Sequence, residues 1–205
     1  MIITIAHTKG GVGKSTLSWN LAHSIKAKGE KVTIVDLDFQ QTLFFINSIR
    51  DKEDIEVLQP QTGSELIEIF EAYQGYLIVD VGGFDNDINR IALSWADKIV
   101  VPISNSVTEV IGYKTFEAIL EEIDNPFVNI VLNNIHPLAK NFNDIYKAIA
   151  TAEQTTLLKT IIRNRKVYKD TLGYGKSIFD SKKPSVSEKQ ARKEIQGLCD
   201  ELIQD

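Results

Sequence analysis

Short runs of valine, isoleucine and leucine recur along the chain, and between them apolar residues return at three- and four-residue steps. The runs at residues 2–7, 32–36, 77–80, 99–103, 128–132 and 157–162 read as strands. They are almost continuously apolar, as strands covered on both faces must be. Residues 17–28, 111–123 and 187–203 carry helical spacing. In the last of these Ala191, Ile195, Leu198 and Leu202 make one core-facing side. Strand alternating with helix predicts an α/β fold: a doubly wound, mostly parallel sheet flanked by helices on both faces. No internal repeat, low-complexity stretch or long linker interrupts the pattern, so residues 1–205 are expected to form a single domain. In open sheets of this kind ligands lie beyond the carboxyl ends of the strands, which makes the residues after each strand the ones to read for chemistry.

The first such stretch is Lys9-Gly10-Gly11-Val12-Gly13-Lys14-Ser15-Thr16, set between the first strand and the first helix. Glycines let backbone N–H groups come close to an anion, and the positive end of a helix dipole points at the same place, so the stretch is built for phosphate. Lys14 can reach terminal phosphates, and Ser15 stands where P-loop proteins coordinate Mg²⁺. The general pattern asks for glycine at Thr8, and a second lysine, Lys9, follows it instead. Two cations side by side are costly unless anionic charge compensates them, and a polyphosphate would do so. After the second strand come Asp36 and Asp38, on one side of an extended backbone. Such a pair either serves a metal-bound triphosphate, holding metal-bound water and orienting an attacking water, or caps the next helix. The third strand ends in Asp80, placed to hold Mg²⁺ through water. It is followed by Gly82 and Gly83, which suit either a switch loop or a plain turn. The fifth ends in Leu132-Asn133-Asn134, where the asparagines offer a donor and an acceptor to a base edge or simply form a turn.

The run K-G-G-V-G-K-S-T resembles the deviant P-loop of the ParA/MinD group of ATPases. The likeness extends over nearly the whole chain. Asp36-Leu37-Asp38-Phe39-Gln40 is similar to that group's D-x-D-P-Q, with Phe39 where proline is usual, and Ala96-Asp97 before the fourth strand is similar to its A-D-x-V-I-x-P-V. The segment from Thr160 to Arg165, followed by Gly175-Lys176-Ser177-Ile178-Phe179, is similar to T-x-I-R-x-R and its G-x-S-V-F sequel. The resemblance implies a short ParA-type protein, one that binds ATP and Mg²⁺ and sandwiches two nucleotides in a homodimer. It gives Lys9 a reach into the partner's site, Asp38 the hydrolytic water and Asn133 the adenine edge. The segment at residues 104–110 is implied to help form the subunit interface. A cargo-bound ParB-like activator would trigger hydrolysis, in the service of plasmid partition, chromosome segregation or the positioning of another large body.

Composition sharpens one point. The formal net charge is −5, yet residues 159–193 hold eleven lysines and arginines against three acids. A basic segment on an acidic body is either a solvated face or a nucleic-acid surface. In the ParA group basic residues of this region contact DNA without sequence preference, which assigns that role to Arg163, Arg165, Lys166, Lys169 and Lys176 and implies association with the nucleoid when ATP is bound. One of these arginines can instead hold the fold together through carboxylates. Phosphate contacts alone read no bases and weaken steeply with salt. The lone cysteine, Cys199, rules out a disulfide framework, and no apolar run approaches the roughly 18 residues of a membrane span. With no leader evident, the expected location is the cytoplasm. The acidic terminal helix lacks the basic amphipathic signature of a membrane anchor. Two rivals remain: a MinD-like or protein-cargo positioning ATPase, and, from another class, an ATP-dependent ligase of the dethiobiotin synthetase kind.

Overall fold

A computed structural model describes residues 1–83, 85–105, 107–123, 127–149 and 154–203. The strands are β1 (Ile2–Ile5), β2 (Val32–Asp36), β3 (Glu56–Leu58), β4 (Tyr76–Asp80), β5 (Lys98–Ile103), β6 (Val128–Ile135) and β7 (Thr155–Arg163). The helices are α1 (Lys14–Ala27), α2 (Thr42–Ser48), α3 (Gly63–Ala72), α4 (Asp87–Ser94), α5 (Val107–Glu122), α6 (Asn143–Ile149), α7 (Lys166–Leu172) and α8 (Val186–Ile203). The strands pair in parallel, in the order β3-β2-β4-β1-β5-β6-β7, as one seven-stranded sheet.

Two apolar layers sandwich that sheet. Leu17, Trp19, Leu21 and Ile25 of α1 meet Ile195, Leu198 and Leu202 of α8 over one face. On the other, Leu66 and Phe70 of α3, Ala92 and Leu93 of α4 and Phe116 and Leu120 of α5 cover Val79, Val101 and Ile130. Residues inside both layers have next to no exposure, which is why the strands show no polar alternation. Local signals start the helices: Thr62 accepts a hydrogen bond from Glu65 N at the head of α3, and Asn86 from Asn89 N at the head of α4.

Among the shifts from the expected elements, three bear on the site. β3 is an additional strand; at three residues, beside β2 at the sheet edge, it is too short to show a period. α1 begins at Lys14, three residues earlier than its apolar pattern, because the glycine loop feeds straight into its first turn. β6 runs on to Ile135, so Asn133 and Asn134 belong to the strand. Its pairing with β7 is irregular between Leu132 and Ile135, and Asn134 sits there at φ 58, a conformation asparagine tolerates better than most residues.

Candidate functional site

Three central strands deliver the site's acids to one level. In the parallel register Ile5 of β1 pairs with Asp80 of β4, and Asp80 pairs with Asp36 of β2. The loop leaving β1 curls over this level and enters α1. Gly11 and Gly13 take φ 78 and 93, and a side chain on Gly13 would meet Asn133 Nδ2 at 2.6 Å, so only glycine fits there. Gly10 carries no such demand: a Cβ at that position would meet nothing within 4 Å.

The result is a cavity of about 510 Å³ bordered by Gly10, Gly11, Gly13, Lys14, Ser15, Thr16, Asp38 and Phe39. Lys14 is almost buried, and its Nζ lies 3.4 Å from Lys9 O. Burial pushes its ammonium below the usual lysine range while Asp80 and Asp38 pull the other way. Asp80 is fully buried; its Oδ1 accepts from Ser18 Oγ at 2.9 Å, and Oδ2 has no hydrogen-bond partner. Burial lifts its pKa to about 7, with the nearby serine hydroxyls of Ser15 and Ser18 opposing. A buried carboxylate oxygen without a donor, beside a serine hydroxyl and a cavity rimmed by the glycine loop, is the environment a hard cation relieves. Among the described residues no cluster of three or more His, Cys, Asp or Glu side chains could cage a metal, so Mg²⁺ here would rest on Ser15, Asp80, water and ligand oxygens.

Asp36 and Asp38 divide their work. Asp36 Oδ2 accepts from Leu43 N and Phe44 N at 2.9 and 3.0 Å, and Oδ1 from Asp38 N at 3.1 Å. It therefore caps α2 and fixes the loop that bears Asp38, the capping role being one of the two the sequence left open. Burial raises its pKa, with those three N–H groups opposing. Asp38 is half-buried at the cavity wall, and its Oδ1 accepts from Gln40 N at 2.9 Å. Gly82 lies beside it; Phe84 of the same loop is outside the described residues.

Lys9, in the loop between the cavity-bordering Thr8 and Gly10, rests on its own chain. Its Nζ is 3.7 Å from Glu109 Oε1 of α5, and Glu109 Oε2 accepts from Ser104 N. Glu109 bears on the site and was not singled out from the sequence; only its place within the 104–110 segment pointed that way. Ser106 of that segment is outside the described residues.

A second cavity, of about 170 Å³, opens on the other side of the loop and is lined by Gly13, Thr16, Asn133, Arg163, Asn164, Arg165 and Lys169. Asn133 Nδ2 donates to Val12 O at 2.7 Å, which leaves Oδ1 as the acceptor that side chain can offer a base.

The basic segment splits. Arg163 Nη1 donates to the carbonyls of His136 and Ala139, with its guanidinium over the Phe142 ring. Arg165 forms a fork with Glu194 of α8 at 2.6 Å and also donates to Gln190. The two arginines thus tie β7 and α7 to the rest of the fold and wall the second cavity. Lys166, Lys169 and Lys176 are exposed, Lys166 lying 3.7 Å from Asp170. A further cluster had no sequence signal: buried Arg50 bonds Asp54 and Asp180 and donates to Gly175 O, while Trp19 of α1 donates to Lys176 O and Asn20 accepts from Ile178 N. Elsewhere, Ala191, Ile195, Leu198 and Leu202 of α8 are buried as expected, Cys199 is buried with them, and no described helix is long and apolar enough to cross a membrane.

Comparison with known proteins agrees with this geometry. The CobQ/CobB/MinD/ParA nucleotide binding domain matches residues 3–178. Protein ParA of Rhizobium radiobacter is 27% identical over 171 residues, covering 80% of this chain and 73% of its own. Among solved structures, the MinD cell division protein of Aquifex aeolicus superposes with a TM-score of 0.76 at 20% identity, covering 100% of this chain and 97% of its own. The septum site-determining protein MinD of Pyrococcus horikoshii, complexed with Mg-ADP, gives 0.69 at 15% identity, covering 99% and 96%. A glycine loop between strand and helix, a buried acid in register beside it and a sequence match over most of the length place this chain in the CobQ/CobB/MinD/ParA family of nucleotide-binding proteins.

Proposed function

We propose that this chain is a ParA-type ATPase, acting as one P-loop domain over residues 1–205, that pairs with a second copy of itself around ATP and uses the pair to hold DNA. The observation that carries the reading is the phosphate cavity itself: Lys14 buried beside Asp80, whose Oδ2 lacks a donor, with Lys9 in the same loop paired to Glu109. The family match and the Mg-ADP held by the MinD relative support nucleotide with Mg²⁺ as the ligand. Bound Mg²⁺ would supply positive charge against the phosphates; Ser15 and Asp80 would hold it.

The chain's own groups do the rest. The N–H groups of Gly10 to Thr16 and the Lys14 ammonium hold phosphate oxygens, since developing charge on them is best met by fixed donors. Asp38 orients a water and accepts its proton, on a loop that Asp36 keeps in place. Asn133 Oδ1 accepts from the adenine amino group, a contact guanine, with a carbonyl at that position, cannot return. Lys9 leaves Glu109 for the partner's triphosphate. Pairing doubles the exposed lysines presented to a duplex, and each phosphate contact adds to a salt-dependent term. Lys166, Lys169 and Lys176 carry that contact; Arg163 and Arg165 support it from within the fold. A ParB-like protein on the cargo stimulates hydrolysis and ends the pairing.

The spending of both arginines inside the fold favours a second reading, a MinD-like ATPase whose cargo is protein. Sedimentation separates the two. With ADP the chain should run as a monomer. The Asp38→Ala protein with ATP should run as a dimer that stays on DNA at about 50 mM salt and leaves it by about 300 mM. An ATP dimer indifferent to DNA selects the second reading, and a mass unaffected by nucleotide refutes both.

A further inference from the structure

Helix α2 carries large apolar side chains on its exposed side as well as its buried one. Leu43 and Ile46 are buried, yet Phe44 and Phe45 on the helix and Ile49 at its end are 46%, 64% and 40% exposed, and Phe39 on the loop before it is 92% exposed. Four of the ten large hydrophobic side chains exposed among the described residues thus fall within eleven consecutive positions. A concentrated exposed apolar surface marks a contact.

From this surface we propose that Phe39, Phe45 and Ile49 form the apolar part of the contact between two copies of this chain in the ATP-bound state. The inference rests on the pairing set out under Proposed function and adds to it the residues that pack. Phe39 borders the 510 Å³ cavity together with Gly10, Gly11 and Lys14, so whatever closes that cavity's mouth reaches Phe39. Charge points to a second copy as the occupant. Residues 39–49 contain no ionisable side chain, in a chain where 25% of residues are charged and the net charge is −5. A partner recruited by electrostatics would need a charged landing surface. An acidic protein meeting its own copy needs a neutral one, because a two-fold contact sets like surfaces against each other. Aromatic enrichment with charge depletion is also the composition of interface centres. Presentation is rigid: Asp36 grips the amides of Leu43 and Phe44, and Phe45 N donates to Gln41 O, so little ordering is left to lose on contact.

The test is a concentration series by analytical ultracentrifugation with ATP, in an Asp38→Ala background that preserves the nucleotide. Phe45→Asp, which replaces an exposed residue outside the cavity lining, should raise the half-dimer concentration at least tenfold. Binding of a fluorescent ATP analogue to the monomer should stay within twofold. Phe127→Asp, at a position 70% exposed elsewhere, should change neither. An Asp38→Ala parent that dimerises, with Phe45→Asp dimerising at the same concentration, overturns the proposal and leaves the surface to another protein. A parent that does not dimerise with ATP overturns the pairing itself.

Discussion

The phosphate loop and the basic segment both announced themselves as charge and motif, and they met different fates in three dimensions. In the loop nearly every side chain singled out from sequence lines one cavity, because residues 10–16 are consecutive and their geometry is set by one strand, one turn and one helix. In the basic segment the two arginines were drawn inward, since a planar guanidinium finds fixed acceptors, Glu194 for Arg165 and two carbonyls for Arg163, while lysines at 166, 169 and 176 remain exposed. Local chemistry survives folding when its partners are near in sequence. Charge counted over thirty-five residues does not say which charges the fold will use.

Three experiments press on that contrast. The largest effect belongs to Lys14→Ala, which removes the buried ammonium at the loop's centre: affinity for ATP should fall by at least about 100-fold by calorimetry, while melting without nucleotide changes little, and retained affinity would contradict the cavity's assignment. Next comes Arg165→Ala, which strands Glu194 half-buried. It should cost about 2–3 kcal/mol in denaturant unfolding, against under roughly 0.5 kcal/mol for Lys166→Ala. The order should reverse in DNA retention once stability is matched, with Lys166→Ala lowering the salt slope by about 1 and Arg165→Ala leaving it unchanged. Equal stability losses would show the two residues to be alike after all.

The third effect is a matter of pH and concerns the helix that joins the two regions. His23 on α1 is buried against Trp19, Nδ1 bonded to Trp19 O, and burial lowers its pKa from 6.5 to about 4. Between those values the unfolded chain binds a proton that the folded chain refuses, so stability should fall as pH drops from about 6.5 towards 4, by up to roughly 3 kcal/mol from this residue. His23→Phe should flatten that part of the profile measured by chemical denaturation. An unchanged slope would assign the acid sensitivity elsewhere.

How much of this was legible in the sequence follows the same division. Strands covered on both faces declare themselves as apolar runs, so six of the seven were visible; Glu56–Leu58 was not, because three residues at a sheet edge carry no period. Lys14, Ser15, Asp38 and Asp80 could be named because each follows a strand that ends where ligands bind. The Arg50–Asp180 and Arg165–Glu194 forks could not, since partners 130 and 29 residues apart leave no mark in either neighbourhood. Glu109 and Lys9, a hundred residues apart, escaped for the same reason. Asp36 was legible as an acid near the site, but its choice of the α2 amides over the cavity depended on where the loop turned.

The rung shared by Asp36 and Asp80 sets a limit on how such a machine can be adjusted. Hydrogen-bonded strands slide only in whole residues, and a single step would swing one acid to the opposite side of the sheet, so the spacing between these two carboxylates comes in jumps and offers no gradual dial. Fine tuning must be left to the turns that follow the strands. Those are the places, Phe39 and Gly82-Gly83, where this chain writes its own version of the pattern.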